Sequence, residues 1–404
     1  MKPLTKTKDS GWPFDGMMIL ALAGLMLIGT AFVYSATMAG DSGSLTPIYR
    51  QEYFKQIIWY GVGLTAAIGL CLVDYQILAR WSLVIYWLTI LALILVLIPG
   101  IGSVVFGARR WIDFGFFSVQ PSEFAKISVI LALAHFLSRP SDEVRHPMIF
   151  WKAIAMMLLP FGLIVKEPDL GSALILIPIT LTMLFVAGVP IRYINRLIGC
   201  AVFFIALLLV DILYAPPQWQ PIKLEPYQKR RLLVYFGVDG APPNATQEEK
   251  RKARNEYRNY SYNVDQALIS VGSGALFGKG WCRGTQNRQG YLPRAVAHND
   301  FIFSVIAEEK GFIGSITVIV LYSMVLFTGI RIAGQARDRL GKLLAVGVVA
   351  MLFSHVFINI GMNIRLMPVT GVPLPLLSYG GSSVLSALIA VGILQNIYIY
   401  RRSY

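Results

Sequence analysis

Charged residues are scarce in this chain. They make up 14% of its 404 residues, while 55% are hydrophobic. A soluble domain of this length would carry roughly a quarter charged residues, so most of the surface is expected to face lipid. Cysteine is scarcer still, with only Cys71, Cys200 and Cys282. Two of these fall in apolar runs, and neither a disulfide framework nor a zinc pattern is visible. The four histidines, His135, His146, His298 and His355, are far apart and show no HExxH spacing. A metal site assembled in space from distant residues stays open. Acidic residues are outnumbered, 22 against 36 basic ones, for a net charge of +14. In a soluble protein that balance would suggest nucleic acid. Here basic loops lying against anionic membrane lipids account for it, and no nucleic-acid partner is expected.

What the chain holds in quantity is long apolar runs. A spanning helix needs ~20 predominantly apolar residues. Ten runs approach that length, at roughly 17–36, 55–73, 79–99, 122–138, 149–165, 170–188, 193–214, 311–331, 341–363 and 380–400. The first follows Lys2, Lys6 and Lys8 and is longer than the apolar stretch of a signal peptide. It reads as an uncleaved first helix with its N-terminus in the cytoplasm. The expected fold is therefore an all-α integral membrane protein of about ten transmembrane helices. Both termini are then cytoplasmic, and one membrane domain covers 1–404. The excess of Lys and Arg on inner segments agrees. Those segments hold Arg80, Arg139, Arg145, Lys152, Arg192, Arg196, Arg331, Arg337, Arg339, Lys342, Arg401 and Arg402. The outer segment between the first two spans holds only Arg50 and Lys55.

One long extracytoplasmic loop, 215–310, with short helices, would join the seventh and eighth spans. Residues 215–300 hold 13 Lys or Arg and 7 Asp or Glu. Long loops translocate largely regardless of charge, so the topology survives and the outer surface is basic. Glu248 to Tyr257 reads as a short exposed helix with a solvated charged face. Asn244-Ala-Thr246 and Asn259-Tyr-Ser261 match a glycosylation pattern that is common by chance. Gly272, Gly274, Gly278, Gly280 and Gly284 permit tight turns and close backbone approach. No strand–loop–helix context supports nucleotide binding there.

A membrane protein reveals its function through ionisable groups in or near apolar segments. In 107–127, Arg109 and Arg110 precede Gln120, and Pro121 favours a helix start. Glu123 and Lys126, three apart, then share a face. They read either as a lysine snorkelling to the boundary or as an acid–base pair lining an outer cavity. At 166–171, Asp169 is expected to cap the next helix, and Lys166 is left without a role by spacing alone. At 291–311, Asp300 stands where the loop re-enters apolar sequence. It reads as a helix cap, a role Asn299 shares, or as a functional carboxylate. Glu308 and Glu309 would mark the outer end of the next span. Between 359 and 383, three prolines and several glycines suggest a re-entrant loop. Such backbone is tolerated at membrane depth only when buried in protein or lining a wet cavity. Arg365 there is expected to face an anionic group.

Together these segments resemble the SEDS family, the peptidoglycan glycosyltransferases of shape, elongation, division and sporulation. The motifs that carry the resemblance are GARRWI, QPSEFAK, PDLG, GSG…GKG…GTQ, HND-FIF and PVTGVPLP…SYGGSS, in the family's order. Asn359-Ile-Gly-Met362 and the 166–171 turn point to its elongation branch rather than its division branch. The resemblance implies polymerisation of lipid II at the outer face of the bacterial inner membrane. It also implies a class B penicillin-binding protein as partner, the transpeptidase that crosslinks the strands. The family's essential Asp falls on Asp300, and the Glu and Lys of its PSEFAK helix fall on Glu123 and Lys126. The chain departs from the family at Asn299, where Thr is usual, and at Arg294, where Glu is common. About two residues are added between Pro293 and Asp300, and 238–258 reads as an insertion.

Implied chemistry follows. Asp300 would take the proton from an acceptor hydroxyl, with Glu123 and Lys126 positioning or tuning it. Arg109, Arg110, Gln120 and Lys166 are candidate substrate contacts. The resemblance implies no organic cofactor and leaves a divalent cation open. A divalent cation, Mg or Mn, held partly by Asp300, is an alternative to the arginines for stabilising the leaving pyrophosphate. A precursor flippase or transporter, or a non-catalytic scaffold of the wall-synthesis complex, are the competing classes.

Overall fold

The computed structural model describes residues 13–38, 47–105, 108–115, 117–214, 226–237, 246–292 and 294–401. Lys2, Lys6, Lys8, Asn244 and Arg402 lie outside the described residues.

Each of the ten apolar runs coincides with a helix. In chain order the first half holds α1 (Gly16–Met38), α2 (Glu52–Cys71), the short α3 (Tyr75–Arg80) and α4 (Ser82–Leu97). Then come α5 (Pro121–Leu137), the short α6 (Ser141–Val144), α7 (Pro147–Lys166), α8 (Leu170–Ala187) and α9 (Ile191–Tyr214). The segment that follows α9 holds α10 (Pro226–Phe236), α11 (Gln247–Ser273), α12 (Thr285–Arg288) and α13 (Arg294–Ala297). Finally come α14 (Ile302–Gln335), α15 (Arg339–Asn363) and α16 (Gly381–Tyr400).

Among the described residues, seven helices are both long and apolar enough to cross a membrane: α1, α2, α7, α8, α14, α15 and α16. Two of the other three runs are short. Helices α4 and α5 have 16 and 17 residues, and at ~1.5 Å per residue they span less than a ~30 Å hydrocarbon core. The chain is a multi-pass helical membrane protein.

One element was not expected. A three-stranded antiparallel sheet, β1 (Gly102–Val105), β2 (Ala108–Asp113) and β3 (Ser118–Val119), sits between α4 and α5. It delivers the chain to Pro121, the first residue of α5. Helix α5 packs against α4, α7, α8, α15 and α16. Apart from Phe124, His135 and Phe136, every residue in it is buried. A helix apolar on all sides belongs inside a bundle, so its Lys126 cannot reach the boundary.

Two other segments differ from expectation. Glu248 to Tyr257 is only the first part of α11, whose second half buries Val264 and Ala267 and packs on α14. Glu308 and Glu309 do not stand at the start of a helix; they are buried within α14, just before a break at Gly311 with φ 64° and ψ −156°. The break strands backbone groups, and loop 274–280 satisfies them. The Glu308 and Glu309 carbonyls accept from Lys279 N and Gly280 N, each at 3.0 Å. Phe312 N and Ile313 N donate to Ala275 O and Leu276 O at 2.8 and 3.2 Å. A Cβ on Gly274 would lie 1.9 Å from Ala307 O, and one on Gly278 would lie 2.2 Å from Glu309 O. The glycine-rich motif is thus a splint across a broken helix.

The segment 364–380 is irregular, as its prolines require. Its carbonyls are met from inside the bundle. Tyr60 Oη donates to Leu376 O at 2.5 Å, Gln56 Nε2 to Ser378 O at 3.1 Å, and Asn359 Nδ2 to Val372 O at 2.8 Å.

Candidate active site

A cavity of about 790 Å³ lies where the sheet, the N-terminus of α5, the α7–α8 turn, α10, the loop before α14 and the 364–380 segment meet. Glu123, Asp169, Arg110, Gln120 and Asp300 all line it. The structure therefore brings together residues that the sequence places up to 190 positions apart.

Glu123 forms its wall through an ion pair that is shut away from water. Lys126 Nζ donates to Glu123 Oε1 at 2.7 Å and to His355 Nε2 at 2.9 Å. Ser386 Oγ donates to Glu123 Oε2 at 3.0 Å. His355 Nδ1 lies 3.2 Å from the Pro373 carbonyl, which can only accept. Nδ1 therefore carries the proton, Nε2 accepts from Lys126, and the imidazole is neutral. Lys126 is 0% exposed and Glu123 1%. The snorkelling reading fails, since Lys126 lies behind the cavity wall with its donors turned to Glu123 and His355.

Asp300 does not cap a helix. The N-cap of α14 is Phe301, with no side-chain hydrogen bond. The backbone at Asp300 is instead held by two asparagines one turn apart on α15. Asn359 Nδ2 and Asn363 Nδ2 each donate to the Asp300 carbonyl at 3.1 Å. Gly371, at φ 75°, lies beside the carboxylate, and a Cβ there would make an ordinary contact with Oδ2 at 3.7 Å. Burial pushes the Asp300 carboxyl up to about 6, with Arg231 and Arg110 holding it down and Asp169 pushing it further up. The cations that steady this carboxylate are thus Arg231 and Arg110.

Asp169 caps α8, as expected, through Ser172 N at 3.2 Å. Its other oxygen accepts from Gln120 Nε2 at 2.9 Å and Ser122 Oγ at 3.1 Å. Arg110 turns onto the backbone of that turn: its Nε donates to Glu167 O at 3.1 Å and its Nη2 to Pro168 O. Glu167 is buried with neither carboxyl oxygen hydrogen-bonded. Burial, and then Asp169, push its carboxyl up to about 9, against the pull of Arg110.

Two candidate substrate contacts are not on the cavity wall. Arg109 Nη1 reaches back to Leu97 O at 3.4 Å. It neighbours Arg110 on β2, and adjacent strand residues face opposite sides. Lys166 is exposed at the end of α7 and does not line the cavity. Residues that sequence reasoning passed over are His355, Asn359, Asn363, Ser386 and Arg231. The pair Asn359 and Asn363, four apart in an apolar helix, carried a readable signal. Among the described residues, no group of three or more His, Cys, Asp or Glu comes together to hold a metal ion. These residues do not by themselves build a metal centre.

A bundle of membrane helices enclosing a carboxylate-lined cavity defines a polytopic membrane protein with a candidate site inside the bundle. The sequence profile of the FtsW/RodA/SpoVE family, described as cell cycle protein, matches residues 15–403, and the chain belongs to that family. It is 33% identical to peptidoglycan glycosyltransferase RodA of Treponema pallidum over 95% of this chain and 97% of that one. It is 32% identical to peptidoglycan glycosyltransferase MrdB of Escherichia coli K12, covering 96% and 94%. It is 34% identical to stage V sporulation protein E of Bacillus subtilis, covering 96% and 98%. Among solved structures it resembles a chain from a peptidoglycan synthase complex, described for its coordination of polymerization and crosslinking. That match has TM-score 0.73 at 26% identity and covers 97% and 99% of the two chains. The rod shape determining protein RodA of Thermus thermophilus matches with TM-score 0.63 at 25% identity, covering 97% and 98%.

Proposed function

We propose that this protein is a peptidoglycan glycosyltransferase that polymerises lipid II at the outer face of the bacterial inner membrane, in cell elongation. The observation that carries the reading is Asp300. It is a carboxylate on the wall of a cavity, its backbone fixed by Asn359 and Asn363 and its charge faced by two arginines. The names of the relatives support the reaction class. RodA among the relatives and the solved structures supports the elongation role.

In the reaction, Asp300 accepts the proton of the acceptor sugar hydroxyl. The oxygen attacks the anomeric carbon, and pyrophosphate leaves with the bonding electron pair. The leaving group is already good, so one base suffices and the paired carboxylates of glycosidases are not required. Glu123 presents a second carboxylate to the cavity, and Lys126 fixes it in place. Gln120 and Arg110 complete the wall on the substrate's path. Asp300 is the side chain that would contribute to holding a divalent cation brought with the pyrophosphate, where the ion would supply charge stabilisation to the leaving group. The N- and C-termini lie in the cytoplasm, and 1–404 forms one membrane domain. The structural neighbour from a synthase complex supports a class B penicillin-binding protein as partner.

The test is lipid II in proteoliposomes containing the purified protein and a class B partner that lacks glycosyltransferase activity. Glycan strands are expected. Movement of lipid II between leaflets without strands would favour the transporter reading, and neither outcome in folded protein would favour the scaffold.

A further inference from the structure

Two cationic side chains of the cavity remain to be accounted for, Arg231 beyond its effect on Asp300 and Lys55 altogether. Lys55 comes from α2 and Arg231 from α10, and both line the cavity that holds Asp300. The other carboxylates on its deeper wall are engaged: Glu123 by Lys126 and Ser386, and Asp169 by Gln120, Ser122 and Ser172 N. Arg110 is turned onto the carbonyls of Glu167 and Pro168.

Arg231 reaches the cavity because α10 is clamped. Arg365 Nη1 pairs with Asp265 Oδ1 of α11 at 3.0 Å. Its Nη2 donates to Val234 O of α10 at 3.4 Å and to Tyr257 Oη of α11 at 3.3 Å. Tyr235 Oη of α10 donates to Leu366 O at 3.1 Å. Arg365 holds a left-handed backbone, φ 60°, a conformation that a non-glycine residue keeps only where its surroundings impose it. One side chain on the 364–380 segment thus seats both outer helices over the site.

We infer that Lys55 and Arg231 bind the pyrophosphate of a polyprenyl-linked sugar from two sides of the cavity, and that Arg365 is the positioning residue that seats Arg231 there. This rests on the glycosyl-transfer reading of Asp300. As the acceptor oxygen bonds to the anomeric carbon, its proton passes to Asp300. The carbon–oxygen bond to the pyrophosphate breaks, and that oxygen keeps the electron pair. Negative charge therefore grows on the phosphate oxygens, and cations facing them favour the step. Arg231 offers a planar fork that meets two phosphate oxygens at once, and Lys55 a compact charge. Two cations from separate elements suit two linked phosphoryl groups.

The experiment is binding of undecaprenyl pyrophosphate to the purified full-length protein in detergent, with undecaprenol as the uncharged probe and inorganic pyrophosphate as the tail-less one. Arg231→Gln and Lys55→Gln are each expected to weaken undecaprenyl pyrophosphate binding by about tenfold or more, the value of one charge-assisted contact. Arg231→Lys should recover part of the loss, and undecaprenol binding should not change. Arg365→Gln should weaken binding as Arg231→Gln does, and the double variant should be no worse than Arg231→Gln alone. Inorganic pyrophosphate should lose affinity in the same variants, which places the effect on the phosphates rather than the tail. Unchanged affinity in both Gln variants, or equal loss of undecaprenol binding, would overturn the assignment. Additive losses for Arg231 and Arg365 would overturn the positioning role. Strand formation by wild type reports separately on the glycosyltransferase reading. Strands with cation-independent binding sink only this inference, whereas cation-dependent binding without strands sinks only that reading.

Discussion

Neutralising one member of the Glu123–Lys126 pair should cost more than neutralising both. The two side chains meet at 2.7 Å with side-chain exposures of 2% and 1%. Glu123→Gln keeps the shape and an acceptor for Lys126, but leaves an ammonium buried without a counter-charge. Lys126→Met leaves the Glu123 carboxylate with only Ser386, and His355 Nε2 without its donor. Breaking a buried pair by removing one partner costs about 3–5 kcal/mol, whereas replacing both with uncharged groups of similar volume is often close to neutral. The double variant Glu123→Gln/Lys126→Met should therefore lose about 1–2 kcal/mol, less than either single variant. The implied coupling is about 4 kcal/mol or more. Unfolding from mixed micelles by SDS titration, followed by the fluorescence of the tryptophans, gives all four corners of the cycle. Single losses that simply add in the double variant would show that the pair is not the desolvated unit described here. Activity provides the second readout: the folded double variant lacks the cavity carboxylate and should stay far below wild type.

Asp300 sets the acid limb of the reaction. Its carboxyl must be ionised to accept a proton and is held up at about 6, so the rate should fall as pH drops through about 6. Arg110→Gln, which removes a cation that holds it down, should move the limb to higher pH in a pH–rate profile. Glu167, held up at about 9 from 4.5, keeps its proton in the fold but loses it in the unfolded chain above about 4.5. Its contribution is therefore full below pH 4.5 and is lost as pH rises towards 9. Glu167→Gln should flatten this dependence and stabilise the protein by on the order of a few kcal/mol at pH 8, read from melting in detergent. Gly274→Ala should destabilise the protein, because its Cβ would lie 1.9 Å from the Ala307 carbonyl. Gly272→Ala, two residues earlier in α11 with nothing within 4 Å, should be neutral or stabilising by about 0.5–1 kcal/mol. Equal effects in a melting comparison would remove the splint argument.

The helices were legible because length and hydrophobicity alone define them, and Pro121 marked the start of α5 as it does in the fold. The Glu123–Lys126 contact was legible because spacing of three along a helix fixes which side chains meet. Partners from elsewhere in the chain were not. His355 and Ser386 lie 229 and 263 residues from the side chains they bind, and no local pattern ties them together. Arg109 and Arg110 were equivalent on the page. Only the strand β2, invisible in so short a stretch, sends one to the cavity and the other behind it. Arg231 was hidden for a different reason: it stands in Lys229-Arg-Arg231, and nothing local says which of the three a docked helix will aim inward. The start of α14 was not legible, because the apolar run beginning at 311 records the helix break at Gly311.

The most direct measurement is lipid II polymerisation by the purified protein with a glycosyltransferase-free class B partner, wild type beside Asp300→Asn. Strands from wild type and none from a folded Asp300→Asn that still binds the partner are expected. Strands from Asp300→Asn at the wild-type rate would remove Asp300 as the base, and with it the central step of the mechanism.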